Sequence, residues 1–198
     1  MPRVIGLTGG IASGKSLVSR ILMGVGAVVI DADDIGREIM AKYAPVRQEV
    51  VKTFGKEVLK EGGQIDRGKL GRIIFRDLER RKVLERILHP LIQEEMWKRV
   101  QGSSGDVVLE VPLLIEKGEH EKVDLVVVVY VTREAQIQRL IRRDGISRQE
   151  AARRIDTQLP LKEKVSHAHY IINNTGSVEE TEEQVLRFYQ VIKGEETP

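Results

Sequence analysis

Five short runs of apolar residues, rich in Val and Ile, recur along the chain and are separated by stretches with helical periodicity. Continuous apolar runs of this length are typical of strands that are buried on both faces, as in parallel sheets covered by helices. The runs are Arg3 to Leu7, Ala27 to Asp31, Asp106 to Val111, Asp124 to Val131 and Tyr170 to Asn173. Their alternation with helices predicts βαβ units and an α/β fold with a five-stranded parallel sheet.

The helical stretches are uneven in length. Residues 35–101 show almost no strand pattern, which indicates a helical insertion beside the sheet. The predicted helices are Lys15 to about Gly24, Val46 to Phe54, Arg67 to Phe75, Leu78 to Leu88, Pro90 to Val100 and Glu179 to Ile192, with a further helical excursion from Glu134 to Ser166. Asp66 is the expected N-cap of one inserted helix, and Pro90 is expected in the first turn of another.

Length and composition narrow the class of protein. With 198 residues, 41% of them hydrophobic and 31% charged, the chain suits one α/β domain and has no room for a second. The longest apolar run, Leu125 to Val131, is far shorter than the ~20 residues of a membrane helix, and the N-terminus lacks signal-peptide architecture, so we expect a cytoplasmic protein. Cysteine is absent, which excludes disulfides and thiolate chemistry. A net charge of +2 offers no global field for nucleic acid or membranes.

The first strand leads into a glycine-rich loop. Residues Gly9 to Ser16 match the pattern G-x-x-x-x-G-K-[ST], between a strand and a helix, as a phosphate-binding loop requires. The glycines let consecutive N–H groups surround a phosphate, and the helix N-terminus adds partial positive charge. We expect Lys15 to reach the β- and γ-phosphates and the Ser16 hydroxyl to bind Mg²⁺. A loop that binds phosphate without chemistry is the alternative.

Among proteins with such a loop, a small kinase fits this chain best. A GTPase needs a base-reading Asn-Lys-x-Asp sequence, which is absent, and the D-x-x-G match at residues 33–36 carries little information. A motor ATPase usually needs more chain for coupling.

Two carboxylates at the end of the second predicted strand favour phosphoryl transfer. In an open parallel sheet, Asp33 is expected at the carboxyl edge beside the phosphate loop, placed to accept the proton of an attacking hydroxyl. Asp31 points to the other side of an extended chain and is a candidate to support Mg²⁺ or a neighbouring side chain. A helix N-cap at Asp33 or Asp34 is the alternative.

Arginines cluster in the second helical excursion. Three of them, at i, i+3 and i+4, share one broad face of a predicted helix. The cluster consists of Arg139, Arg142, Arg143, Arg148, Arg153 and Arg154. Such a cluster can close over a triphosphate and stabilise charge in the transition state, and we expect at least one member to do so. For any single member, a solvated basic face is the simpler interpretation.

Several blocks of the sequence together resemble one family. They are Thr8-Gly9-Gly10-Ile11, Ser13-Gly14-Lys15-Ser16, Val29-Ile30-Asp31-Ala32-Asp33 with Arg37, Phe54-Gly55, Ile65-Asp66-Arg67 with Leu70, Ile74-Phe75, His89-Pro90-Leu91-Ile92, Val111-Pro112-Leu113-Leu114-Ile115-Glu116, the helix from Arg139 to Asp144, Arg154-Ile155 with Gln158, and Asn174 before Gly176. The blocks span nearly the whole chain. In this order they resemble the dephospho-coenzyme A kinase family.

That resemblance implies an activity and roles for particular residues. The activity is transfer of the γ-phosphoryl group of ATP, with Mg²⁺, to the ribose 3'-hydroxyl of dephospho-CoA, the last step of coenzyme A synthesis. By the same resemblance, Asp33 is the general base, Lys15 and Arg139 steady the transferring phosphoryl group, and Leu113 lies where the acceptor binds. For His89, a helix N-cap before the following proline is an equal alternative.

The resemblance also implies binding sets and a division of the chain. The ATP-binding set is Gly10, Ile11, Ala12, Ser13, Gly14, Lys15, Ser16, Leu17, Arg143 and Asn174. The acceptor-binding set is Asp33, Arg37, His89 and Leu113, and the metal set is Ser16, with Asp31 and Glu110 as supporting candidates. A single three-layer P-loop domain would comprise a core of residues 1–34, 102–133 and 168–193, an acceptor-binding insertion of about 35–101 and a lid of about 134–166. We expect a monomer or small homo-oligomer with a small-molecule substrate and no nucleic-acid or membrane partner.

Some positions depart from the family pattern. Ala12 replaces a common Gly, which is tolerable only if its φ angle stays negative. Leu17 stands where Thr is frequent, and His169 and Asn173 stand where Asp is usual, which affects the expected adenine contacts. Glu110 matches an acid that often supports Mg²⁺, with a solvent-facing strand end as its alternative.

Other functions are weaker interpretations of the same residues. The runner-up is another small P-loop kinase that acts on a nucleoside or nucleotide. A nucleotide-binding regulator without turnover is the non-enzyme alternative. A nucleic-acid module is disfavoured by the balanced charge and by an aromatic content of only 4%, which is too low for a stacking platform.

Overall fold

The computed structural model describes residues 3–194, apart from the side chains at positions 75, 76 and 78. The chain forms two compact units. The first contains the chain up to Ile30 and from Gly102 onward, and the second contains Asp31–Gln101.

The secondary structure alternates between strands and helices in the first unit and is helical in the second. In chain order the elements are β1 (Val4–Gly9), α1 (Lys15–Gly24), β2 (Val28–Asp31), α2 (Ala32–Lys42), α3 (Ala44–Phe54), α4 (Arg67–Arg76), α5 (Leu78–Gln101), β3 (Val107–Glu110), β4 (Leu125–Tyr130), α6 (Arg133–Asp144), α7 (Arg148–Ile155), α8 (Leu161–Val165), β5 (Tyr170–Asn173) and α9 (Val178–Lys193), with short 3₁₀ turns at Lys56–Val58 and Glu119–Lys122.

The strands form one sheet in the order β2-β3-β1-β4-β5. The pairs β1 with β3, β1 with β4, and β4 with β5 are all parallel, with Ile5 opposite both Val108 and Leu125. All five predicted strands are present, so the α/β class with a five-stranded parallel sheet is confirmed. The first strand is longer than predicted because it continues to Gly9, directly into the phosphate loop.

Both faces of the sheet are covered, as the apolar runs predict. Along β4, Val127 and Val129 face a cluster with α1 and α9, whereas Val126 and Val128 face a second cluster on the opposite side. Neighbouring residues of a strand point to opposite faces, so a continuous valine run fills two cores at once. Burying such residues contributes about 1.5–3 kcal/mol for each side chain.

Helices α6 and α7 form a small core of their own. Ile137 and Leu140 of α6 pack with Ala151 and Ile155 of α7, and all four are buried. Ser147 caps α7 through its side chain, and Gly145 ends α6 in the left-handed conformation. The pair is therefore a compact helical hairpin.

The second unit is helical throughout its longer elements. Asp66 accepts hydrogen bonds from the backbone N–H groups of Gly68 and Lys69, which confirms it as the N-cap of α4. A Cβ at Gly36 of α2 would lie 3.1 Å from Ile92 of α5, so the absent side chain allows these helices to pack closely. Their surface contact includes the ion pair of Arg99 with Glu38.

One prediction for this unit is wrong. The segments Leu78 to Leu88 and Pro90 to Val100 are not two helices but one, α5, which runs through Pro90. An interior proline costs roughly 3 kcal/mol because it removes one backbone donor and crowds the preceding turn. Burial offsets this cost, since an apolar residue recurs every four positions along the helix. The stripe is Leu84, Leu88, Ile92, Met96 and Val100, and the half-buried Trp97 adjoins it.

Candidate functional site

The phosphate loop joins β1 to α1 and bends sharply at two positions. Gly14 has a φ angle of 94° and acts as the N-cap of α1. A Cβ there would lie 2.0 Å from the amide nitrogen of Asn174, so only glycine fits both the conformation and the space. The first turn of α1 contains no acidic residue, which leaves the positive end of the helix available to an anion.

Ala12 provides the other bend and corrects a sequence-based expectation. Its φ angle is 59°, whereas a negative angle was expected for a residue that replaces glycine. The left-handed conformation costs an L-residue about 1–2 kcal/mol. Ala12 and Ile11 pack against the buried cluster formed by α6 and α7, and this contact opposes the cost.

Lys15 and Ser16 open α1 at the loop. The Lys15 ammonium donates to the carbonyl oxygens of Gly9 and Gly10, at 3.2 and 3.4 Å. Ser16 is exposed in the first helical turn, and its carbonyl accepts from Arg20 at 3.2 Å. Within the loop, the hydroxyl of Ser13 is buried without a hydrogen-bond partner. A flexible cation, an exposed hydroxyl and a helix N-terminus are thus combined on one short segment, as a nucleotide phosphate requires.

Side chains from outside the loop hold its carbonyl groups. Arg139 of α6 donates to Ala12 and Ser13, at 3.4 and 3.2 Å, and its other nitrogen donates to the Asn174 carbonyl at 2.7 Å. The Asn174 amide donates to Ser13 at 2.7 Å. Charge-assisted bonds from a planar guanidinium orient three backbone carbonyls at once. The predicted residues Arg139 and Asn174 are therefore brought to the phosphate loop.

Two glutamines complete this arrangement at Ile11. Gln136, which is buried, donates to the Ile11 carbonyl at 2.7 Å. Gln158 accepts from the Ile11 N–H group, also at 2.7 Å. Sequence reasoning assigned no role to Gln136 and used Gln158 only as part of a motif. A glutamine beside the apolar positions of α6 was the available signal for the first.

A buried link runs from α9 to the loop through Asn174. The Thr181 hydroxyl lies 2.9 Å from the Asn174 side-chain oxygen and 3.0 Å from the Ser177 carbonyl, both of which can accept its proton. Asn174 is only 4% exposed, and both ends of its amide are in hydrogen bonds. Asn174 thus connects the phosphate loop to Thr181 of α9 through its side-chain amide.

Four other arginines of the cluster form ion pairs with carboxylates, namely Arg143, Arg148, Arg153 and Arg154. Arg143 is exposed and binds Asp144, which lowers the pKa of that carboxyl and raises the pKa of the guanidinium through their hydrogen bond. Arg148 binds Glu134 and lowers its pKa to about 2. These surface pairs fit the basic-face interpretation and contribute little to stability.

The end of β2 carries the predicted carboxylates. Asp31, not Asp33 or Asp34, is the N-cap of α2, since its side chain accepts from the N–H groups of both following aspartates. The alternative that placed the cap at Asp33 or Asp34 is therefore wrong. The exposed Asp33 carboxylate lies in the first helical turn, and Arg37 forms ion pairs with Asp34 and, at 3.9 Å, with Asp31.

The remaining predicted site residues fall in three different settings. Glu110 is buried and accepts a hydrogen bond from Ser19, so a solvent-facing strand end is excluded for it. Leu113 is half-buried in the turn after β3, where its carbonyl accepts from Lys117. His89 lies inside α5 and is not an N-cap.

His169 replaces the usual aspartate without losing the acceptor. Its Nδ1 atom accepts from the Val126 N–H group at 3.0 Å, and the backbone N–H of His169 donates to the Val126 carbonyl at 2.9 Å. The ring therefore extends the pairing between β4 and the start of β5.

Two kinds of site are absent from residues 3–194. No three His, Asp or Glu side chains in that range are grouped to hold a metal ion. None of the helices described there has the length and apolar character to cross a membrane.

Comparison with known proteins identifies the family. The family model described as dephospho-CoA kinase matches residues 3–180. A dephospho-CoA kinase from Carboxydothermus hydrogenoformans is 50% identical over 191 residues, which cover 94% of this chain and 93% of that protein. Among solved structures, TT1252 from Thermus thermophilus has a TM-score of 0.82 at 33% identity and covers 96% of this chain and 97% of its own. The dephospho-CoA kinase from Campylobacter jejuni has a TM-score of 0.74 at 31% identity, and the match covers 99% of this chain and 100% of that protein. This chain belongs to the dephospho-CoA kinase family.

Proposed function

We propose that the protein transfers the γ-phosphoryl group of ATP to the ribose 3'-hydroxyl of dephospho-CoA and releases coenzyme A and ADP. The observation that carries the proposal is the geometry of the phosphate loop in a member of this family. Four side chains of the same unit form hydrogen bonds with the backbone of the loop or of Asn174 beside it. These are Gln136, Arg139, Gln158 and Asn174. A loop held in this way is preorganised to bind phosphate, and positioning with electrostatic stabilisation is the main source of catalysis in phosphoryl transfer.

The nucleotide is proposed to bind through the loop and the start of α1. Backbone N–H groups from Gly14 to Ser16 surround the β-phosphate, and Lys15 turns from the Gly9 and Gly10 carbonyls towards the transferring group. Arg139 already contacts the Ala12 and Ser13 carbonyls and stabilises charge that develops beside them.

Oxygen donors fit the magnesium ion that kinases use. Mg²⁺ needs few protein ligands because it keeps several waters and binds the substrate phosphates directly. The exposed Ser16 hydroxyl would hold it, and Glu110 and Asp31 are supporting candidates on the family resemblance alone. Bound there, Mg²⁺ would neutralise phosphate charge.

Asp33 is the proposed general base. Its carboxylate accepts the proton of the 3'-hydroxyl as that oxygen attacks the γ-phosphorus, and the bond to the leaving ADP oxygen breaks. The exposed position of Asp33 in the first turn of α2 leaves it accessible to solvent and substrate. Arg37, His89 and Leu113 are the proposed acceptor contacts, because they occupy the matching positions of the family pattern.

A coupled assay of ADP release tests this function. We expect turnover with dephospho-CoA and little with a panel of nucleosides and nucleotides, with coenzyme A confirmed by mass spectrometry. Asp33→Asn should nearly abolish turnover and leave ATP binding intact, since only acceptor deprotonation is lost. ADP release that depends on a nucleoside instead of dephospho-CoA would overturn the substrate assignment, and full turnover of the variant would overturn the base.

A further inference from the structure

Lys164 is a buried lysine that the proposed mechanism does not use. It lies in α8, and its side chain is 0% exposed. The ammonium donates to the Pro112 carbonyl at 2.8 Å and pairs with a Glu116 carboxylate oxygen, also at 2.8 Å. Burial lowers the pKa of this lysine, while the hydrogen bond to Glu116 opposes that effect.

The two partners of Lys164 are the ends of one short segment. Pro112 and Glu116 follow β3, and Leu113 lies between them. The Pro112 carbonyl also accepts from the Thr8 hydroxyl at 3.1 Å. The Glu116 oxygen also accepts from the Leu159 N–H group at 3.1 Å. A single ammonium group thus fixes the conformation of the segment that presents Leu113.

Stability alone does not account for a charge at this position. Only the lysine of this pair is fully buried, since the Glu116 side chain is 19% exposed. A buried ammonium carries a desolvation cost that an apolar side chain of similar volume does not. The surroundings are already apolar, since Leu114, Ile115 and Leu161 form a buried cluster there. The ammonium instead provides directional contacts, because it binds one carbonyl and one carboxylate in a fixed geometry.

We propose that Lys164 is a positioning residue for the phosphoryl acceptor. By holding Pro112 and Glu116, it sets the place of Leu113, and so the affinity for dephospho-CoA. The inference rests on the proposed function, in which Leu113 contacts the acceptor. It predicts that loss of Lys164 weakens binding of the acceptor and leaves binding of ATP nearly unchanged.

A kinetic comparison of three variants tests this role. Lys164→Met keeps the length of the side chain and removes both contacts. Lys164→Met combined with Glu116→Gln also removes the carboxylate that the single variant would leave without its cation, so this double variant is expected to fold. Lys162→Met is the matched control, because Lys162 is an exposed lysine of the same helix.

The readout is the Michaelis constant for each substrate, measured with the other saturating. We expect both Lys164 variants to raise KM for dephospho-CoA by roughly tenfold and to change KM for ATP by less than about twofold, while the control matches the wild type. An unchanged KM for dephospho-CoA in the folded double variant would overturn the inference. An equal rise in both constants would also overturn it, since that indicates general loosening. Wild-type protein without activity on dephospho-CoA would instead refute the proposed function, and this inference with it.

Discussion

Replacing Asn174 by aspartate tests whether the loop depends on the buried link from α9. The change keeps the shape of the side chain but puts an oxygen where the amide now donates to the Ser13 carbonyl at 2.7 Å. At neutral pH two acceptors would face each other in a site that is only 4% exposed. One lost hydrogen bond and one unsatisfied buried acceptor together cost about 2–4 kcal/mol. For a chain of this length, the cost lowers the unfolding midpoint by roughly 5–15 °C.

The stability of the Asn174→Asp variant is also expected to depend on pH. Burial and the facing carbonyl would raise the pKa of the new carboxyl above its ordinary ~3.9, and we expect them to outweigh the opposing effect of the Arg139 guanidinium, which already donates to the Ser13 and Asn174 carbonyls. When protonated, the carboxyl donates to Ser13 and restores the bond. The destabilisation is therefore absent below about pH 4, grows as the pH rises through the folded-state pKa, and is constant above it.

Circular dichroism at pH 5 and pH 8 measures this difference, and calorimetric titration with ATP measures its effect on binding. Asn173→Asp is the control, since Asn173 is exposed and its side-chain oxygen only accepts from the Thr175 N–H group at 3.1 Å, as a carboxylate would. The reasoning fails if Asn174→Asp melts with the wild type at pH 8, or if the control is equally destabilised.

Substitutions at two further positions test the loop directly. Lys15→Ala should lower kcat by roughly 10²-fold or more, because a preorganised charge donor is lost; a near-normal kcat in the ADP-release assay would mean that the loop binds without catalysing. Ala12→Val should destabilise the protein by more than about 1 kcal/mol, since a β-branched side chain is poorly tolerated at a φ angle of 59°, whereas Ala12→Gly should stay within about 1 kcal/mol of the wild type. Equal midpoints for the two Ala12 variants in urea denaturation would contradict the role of backbone conformation there.

The sheet was predictable because its strands are buried on both faces. A valine run such as β4 is typical of a strand buried on both faces, since it needs apolar neighbours on either side. The uninterrupted helix through Pro90 was not predictable from proline chemistry alone. The four-residue spacing of Leu84, Leu88 and Ile92 continues through it and was the better guide.

The candidate site was likewise predictable from the sequence only in part. The phosphate loop has a local pattern, so the sequence located it, and Arg139 followed from the family resemblance. Gln136 and Lys164 hold backbone carbonyls that are distant in sequence, and such partners cannot be inferred from spacing or composition. The angle at Ala12 was missed for a related reason, because its support comes from the packing of α6 and α7.

Trp97 gives the helical unit an optical label of its own. It is the single tryptophan of the chain and lies half-buried in α5, within Asp31–Gln101. Tryptophan emission therefore follows the melting of that unit, while far-ultraviolet ellipticity sums the helices of both. Any difference between the two curves would measure how far the units unfold independently, which a single midpoint cannot describe.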